Sequence, residues 1–146
     1  MKPLDFYLFV VRVSEANLES YERYILDDET HCSLFFQELG ITDLKYLPKE
    51  KSYNYGMEML MPDFRYEFPI SEMFKFSVLK KDDLPLVEKF CSEKNIAPNS
   101  YMIVYKQDIK LSDDFQLSFP NFYFVGKFTM SEAGMKNEQL ANPHLF

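Results

Sequence analysis

The sequence predicts an α+β fold, with a mostly antiparallel sheet packed against two or three helices as a single layer pair. Three observations predict it. The run Phe6–Val11 is apolar throughout and opens a strand reaching Val13. Two segments, near residues 14–29 and 82–95, carry apolar residues at helical spacing beside residues suited to caps. Between Met57 and Val78, apolar and polar residues alternate with the period of half-buried strands.

Taken in order, the first strand has no polar face and so belongs at the centre of a sheet. Ser14 can cap the helix after it, where Leu18, Tyr21 and Ile25 form a stripe that Tyr24 widens. Glu15, Glu19 and Glu22 border that stripe. Asp27, Asp28 and Glu29 then end the helix, where the macrodipole disfavours negative charge. A shorter helix is expected from about Cys32 to Leu39, begun by Thr30 and stopped by Gly40. Residues 41–55, with Pro48 and Lys49-Glu50-Lys51, read as a connecting loop.

Met57, Met59 and Met61 alternate with Glu58 and Leu60, which places the three thioethers on one face. Phe64, Tyr66 and Phe68, then Phe74, Phe76 and Val78, continue the pattern as an antiparallel meander with one buried face. Asp82-Asp83 and Pro85 begin the clearest helix, with Leu84, Val87, Phe90 and Cys91 inward and Asn95 and Pro98 at its end. Tyr101–Tyr105 is a short strand, and an aromatic run from Phe115 to Phe128 is broken by Pro120-Asn121. Residues 131–146 are more polar and read as a C-terminal arm or short helix on a single domain of 1–146.

Composition excludes several classes. Four glycines leave little material for glycine-built phosphate cradles, which disfavours a nucleotide fold. The basic residues are scattered, so no track exists to neutralise nucleic-acid phosphates. No stretch has the length of a membrane span, and Asp5 and Arg12 bracket the first apolar run, so we expect neither export nor insertion. Cys32 and Cys91 lie among apolar neighbours without framework spacing, as buried thiols of a cytoplasmic protein would.

Constellations with chemical promise are few. His31-Cys32 are sequence neighbours, which do not face each other on a helix, and Cys32 meets His144 only if the tail folds back. Asp27, Asp28, Glu29 and His31 lack the spacing of a calcium loop or zinc site, so no metal or other cofactor is expected. The three methionines suit core packing better than Cu(I). Glu58 and Glu67 are candidates for an acid/base pair only because they project from neighbouring expected strands.

Charge gives the remaining hint. Residues 1–43 hold nine carboxylates against three basic side chains, whereas residues 44–146 hold fourteen against thirteen. Charge gathered on one element can steer a basic partner. The first expectation is therefore a non-enzymatic acidic protein that captures a basic protein. Its face comprises Glu15, Glu19, Glu22, Asp27, Asp28 and Glu29, with Tyr21 and Tyr24 as exposed contacts. In size, charge and lack of a catalytic set the chain is similar to small acidic bacterial immunity or antitoxin proteins, which is analogy and not a shared motif. The alternative is a small-ligand binding or sensing domain with a pocket of Met57, Met59, Met61, Phe64, Phe74 and Phe76. A hydrolase using carboxylates and tyrosines is a third reading, and it requires two acids in one cleft. Strand edges in the aromatic half also admit self-pairing into a homodimer.

Overall fold

Strand β1, Asp5–Val11, is buried along nearly its whole length and occupies the interior of a four-stranded sheet. The computed structural model describes residues 4–26, 32–41, 57–64, 69–105 and 109–141. Within them β1 is followed by α1 (Leu18–Ile25), α2 (Leu34–Glu38), β2 (Met57–Met59), α3 (Ile70–Met73), α4 (Leu84–Lys94), β3 (Ser100–Val104), β4 (Phe122–Thr129) and α5 (Glu132–Ala141). The sheet order is β2-β3-β1-β4, and every neighbouring pair is antiparallel. Among the described residues, the edge strands are thus β2 and β4.

The α+β class and the antiparallel sheet agree with the sequence. The layering adds to that expectation, because helices cover both faces where a single layer pair would have one. Tyr7, Phe9 and Val11 of β1 join a core with Tyr21, Tyr24 and Ile25 of α1 and Phe35 and Phe36 of α2. Phe6, Leu8 and Val10 join a second core with Met73 of α3, Val87 and Cys91 of α4, and Met135 of α5. A strand apolar on both sides requires cover on both sides.

A bulge lets β4 serve both cores. Leu8 lies opposite Gly126 but Phe9 lies opposite Phe124, so β4 carries one extra residue. Phe122 and Phe124 therefore point to the α1 side, while Tyr123, Val125 and, beyond the bulge, Phe128 point to the other. Phe128 then meets its cross-strand partner Phe6 with ring centroids 6.1 Å apart.

Element ends follow local chemistry. The α2 helix is capped by Ser33, whose Oγ accepts from the Phe36 amide at 3.1 Å, while Thr30 lies outside the described residues. Gly40 leaves that helix with φ of +86°. Asn95 ends α4 in the left-handed conformation, and the Ile96 amide returns to the Cys91 carbonyl at 3.0 Å. Asn99 is buried, and its side chain donates to the Val13 carbonyl (2.8 Å) and accepts from the Val13 amide (2.9 Å). That exchange fixes the exit from β1 beside the entry to β3.

The expected meander is the main correction. Of it, only Met57–Met59 is a strand; residues 65–68 lie outside the described residues. Phe74–Val78 is not a strand but the turn that follows α3. The Phe74 amide bonds the Ile70 carbonyl, and Ser77 Oγ donates to the Phe74 carbonyl and accepts from the Leu79 amide. With backbone groups satisfied locally, no strand partner is needed. The alternation was misleading because Phe76 is 92% exposed while Phe74 and Val78 are buried.

Candidate functional site

The acidic segment divides when placed in three dimensions. Glu15 sits exposed on a 3-10 turn ahead of α1, Glu19 is exposed on α1, and Glu22 is partly covered. Glu19 pairs with Arg23 one turn later, which offsets its charge locally. Asp27, Asp28 and Glu29 lie outside the described residues. Three carboxylates and one guanidinium thus make up the described face.

Tyr21 and Tyr24 do not belong to that face. They are 1% and 5% exposed. The rings of both pack on Phe119 and Phe122, at 5.7 and 5.8 Å for Tyr21 and 5.3 and 5.9 Å for Tyr24. The spacing that aligns them with Leu18 and Ile25 turns them inward, so they cannot also present contact area to a partner. Burial pushes the Tyr21 hydroxyl up to about 12. Burial and the nearby Glu38 carboxylate raise Tyr24 further. Neither hydroxyl completes a hydrogen bond of normal geometry.

The expected Met and aromatic pocket does not assemble either. Met59 and Phe64 pack on the α1-side core, whereas Phe74 belongs to the core on the opposite face. Met61 lies past the end of β2 and is 60% exposed, and the side chain of Met57 lies outside the described residues. Among the described residues, these side chains therefore share no single cavity.

Glu58, offered as half of an acid/base pair, is held by tyrosines. Its Oε2 accepts from the Tyr105 hydroxyl at 2.7 Å, and Tyr101 approaches Oε1 at 3.5 Å. Burial, with Glu58 beside it, raises the Tyr101 hydroxyl well above its ordinary range. The arrangement clamps the edge strand β2 to β3. Glu67 lies outside the described residues.

Cys32 and Cys91 are buried in cores on opposite faces, so no disulfide joins them. Burial pushes the Cys91 thiol up to about 11, far from a reactive thiolate. Among the described residues, no three His, Cys, Asp or Glu side chains are grouped to hold a metal ion. No described helix is long and apolar enough to cross a membrane.

What the structure does bring together is a groove between residues 71–84 and the first turns of α5. Its volume is about 670 Å³. Phe74, Leu79 and Gly134, all buried, form the floor, and Leu84 lines one side. Lys75, Phe76, Lys81, Ala133 and Asn137 are exposed and form the rim. Hydroxyls come from Ser71, Ser77 and Ser131.

Local chemistry sets this shape. The Phe74 ring stacks on Tyr101 at 4.7 Å, which anchors the turn after α3 to the sheet. The Ser131 amide bonds the Val78 carbonyl at 2.9 Å, and Ser131 Oγ accepts from the Gly134 amide to cap α5. Gly134 is required by the close approach: a Cβ there would stand 2.8 Å from Val78 Cα. The helix therefore rests against the turn without a side chain between them, and the groove opens beside that contact.

Of the described residues expected to line a pocket, Phe74 and Phe76 line this groove. The rest were missed because two stretches more than forty residues apart contribute them, and no local pattern joins these. Comparison with family models, curated proteins and solved structures finds no match for this chain.

Proposed function

We propose that this chain is a non-enzymatic binding protein that takes a small, largely apolar ligand in the groove between residues 71–84 and α5. The observation carrying this reading is the groove itself: about 670 Å³, with an apolar floor and a few polar groups at its edge. Small-molecule sites commonly have such a size and lining. Among the described residues no carboxylate lines it, which argues against an acid/base hydrolase working there. The same reading places the protein in the cytoplasm, where thiols such as Cys32 and Cys91 stay reduced.

An uncharged lipophilic dye, Nile red, tests the proposal. Saturable binding to the native chain is expected, and it should disappear in Ala133→Phe, which fills the rim from an exposed position. Equal dye binding by both proteins would remove the groove as a site.

The skewed charge favours a second reading, capture of a basic protein by the acidic face. Glu15 and Glu19 are exposed, and residues 1–43 hold most of the excess negative charge. The tyrosines play no part, so the face would act by steering and would weaken with salt. Charge reversal at Glu15, Glu19, Glu22, Asp27, Asp28 and Glu29 should abolish salt-sensitive partner capture from a lysate. Capture that survives the reversal eliminates this reading.

A further inference from the structure

We infer that the occupant of the groove is a free single-chain amphiphile with an anionic head, such as a fatty-acid carboxylate. This rests on the groove being a ligand site. The tail lies on Phe74 and Leu79, and the head meets Lys75 and Lys81.

Charge complementarity carries the inference. Acidic residues outnumber basic ones 23 to 16 in this chain, yet among the described residues the groove is lined by two lysines and no carboxylate. Glu72, Asp82, Asp83 and Glu132 are close in sequence, but none of them lines it. Neither Lys75 nor Lys81 is in an ion pair among the described residues. The Lys75 ammonium instead stands 5.6 Å from the centre of the exposed Phe76 ring. Two ammonium groups at the rim of an apolar floor suit a molecule with one negatively charged and one oily end. A polar ligand would leave the floor unmatched, and a neutral oil would leave the lysines without a partner.

The test compares dodecanoate with dodecanol, which share a tail and differ in head charge, by titration calorimetry at low salt below the micellar range. Dodecanoate should bind roughly tenfold tighter, as two partly exposed ion pairs allow. That advantage should vanish in the double variant K75Q/K81Q, whose substituted positions are exposed and outside both cores. Each methylene removed from the tail should weaken binding roughly fourfold.

Other outcomes are distinguishable. Equal affinity for the two ligands, with both blocked by Ala133→Phe, overturns the anionic head and keeps the groove as a site. Unchanged dodecanoate affinity in K75Q/K81Q also overturns the head assignment. Failure of both ligands and of Nile red overturns the groove reading as well. Co-sedimentation with phosphatidylglycerol vesicles, without binding of free dodecanoate, would assign the surface to a membrane and overturn the inference.

Discussion

The two faces of the sheet are filled by different materials, and the groove described above lies on the α4 side. On the α1 side, flat rings pack on one another: Phe35 stands 5.1 Å from Phe9 and 5.2 Å from Phe122, and Tyr24 stands 5.3 Å from Phe119. On the α4 side, Phe6 and Tyr101 share the core with Val87, Cys91, Met73, Met130 and Met135. The first face interlocks through rings in several orientations, each fixing the next. The second mixes rings, among them Phe6, Phe74, Tyr101 and Tyr105, with flexible or small side chains, and its covering elements include a four-residue helix and a helix that meets the turn at Val78 through glycine. A face without side-chain redundancy is where a cavity can persist.

Four measurements would break or sharpen that comparison. Phe35→Ala should cost most, about 3–5 kcal/mol by denaturant unfolding, because several rings lose a partner and cannot collapse into the gap. Met130→Ala on the other face, equally buried, should cost nearer the lower end of about 2–5 kcal/mol. If Met130→Ala proves as costly as Phe35→Ala, the contrast in packing is wrong.

Gly134→Ala comes next, at about 1–3 kcal/mol, since the added methyl meets backbone that cannot rotate away. The variant should also lose Nile red binding as α5 is pushed from the turn. A fully stable Gly134→Ala that still binds dye would show that the close approach does not shape the groove.

Alkaline titration probes both faces together. Tyr21 and Tyr24 lie in one core and Cys91 and Tyr101 in the other, and burial raises all four. Such groups hold their protons longer when folded, so their contribution is complete below their ordinary values and is lost as pH rises through the folded ones. Stability should therefore decline from about pH 9, where a thiol like Cys91 ionises in the unfolded chain, through about pH 12 for Tyr21. Equilibrium unfolding that stays level across this window would contradict the burial of these hydroxyls and this thiol.

The smallest effect concerns the surface of the ring-packed face. Glu19→Gln removes an exposed pair with Arg23 and should change stability by no more than about 0.5 kcal/mol. A larger loss would mean that the pair organises α1.

The legible parts of the fold were those set by neighbours in sequence. The α4 helix ran as its stripe and its Asn95 stop foretold, and the unbroken apolar run of β1 correctly placed it in the sheet interior. The stripe of α1 is legible too, but it excludes Tyr21 and Tyr24 from the solvent face on which the charge pattern alone would place them, because a helix has only one inward side. Phe74, Phe76 and Val78 matched a strand template, yet Ser77 offered the backbone a local alternative that period-two counting does not weigh. The groove had no local mark at all, because Lys75 and Lys81 became neighbours of Ala133 and Asn137 only through the Val78–Ser131 contact.

By itself the sequence determined the class of the fold, the interior position of the first strand and the C-terminal stops of α2 and α4 at Gly40 and Asn95, since these depend on periodicity and on backbone groups within a few residues. Tertiary structure alone decided which side each described aromatic faces and where the groove opens. Those outcomes depend on contacts between distant segments, whose energies become available only once both segments are held in place.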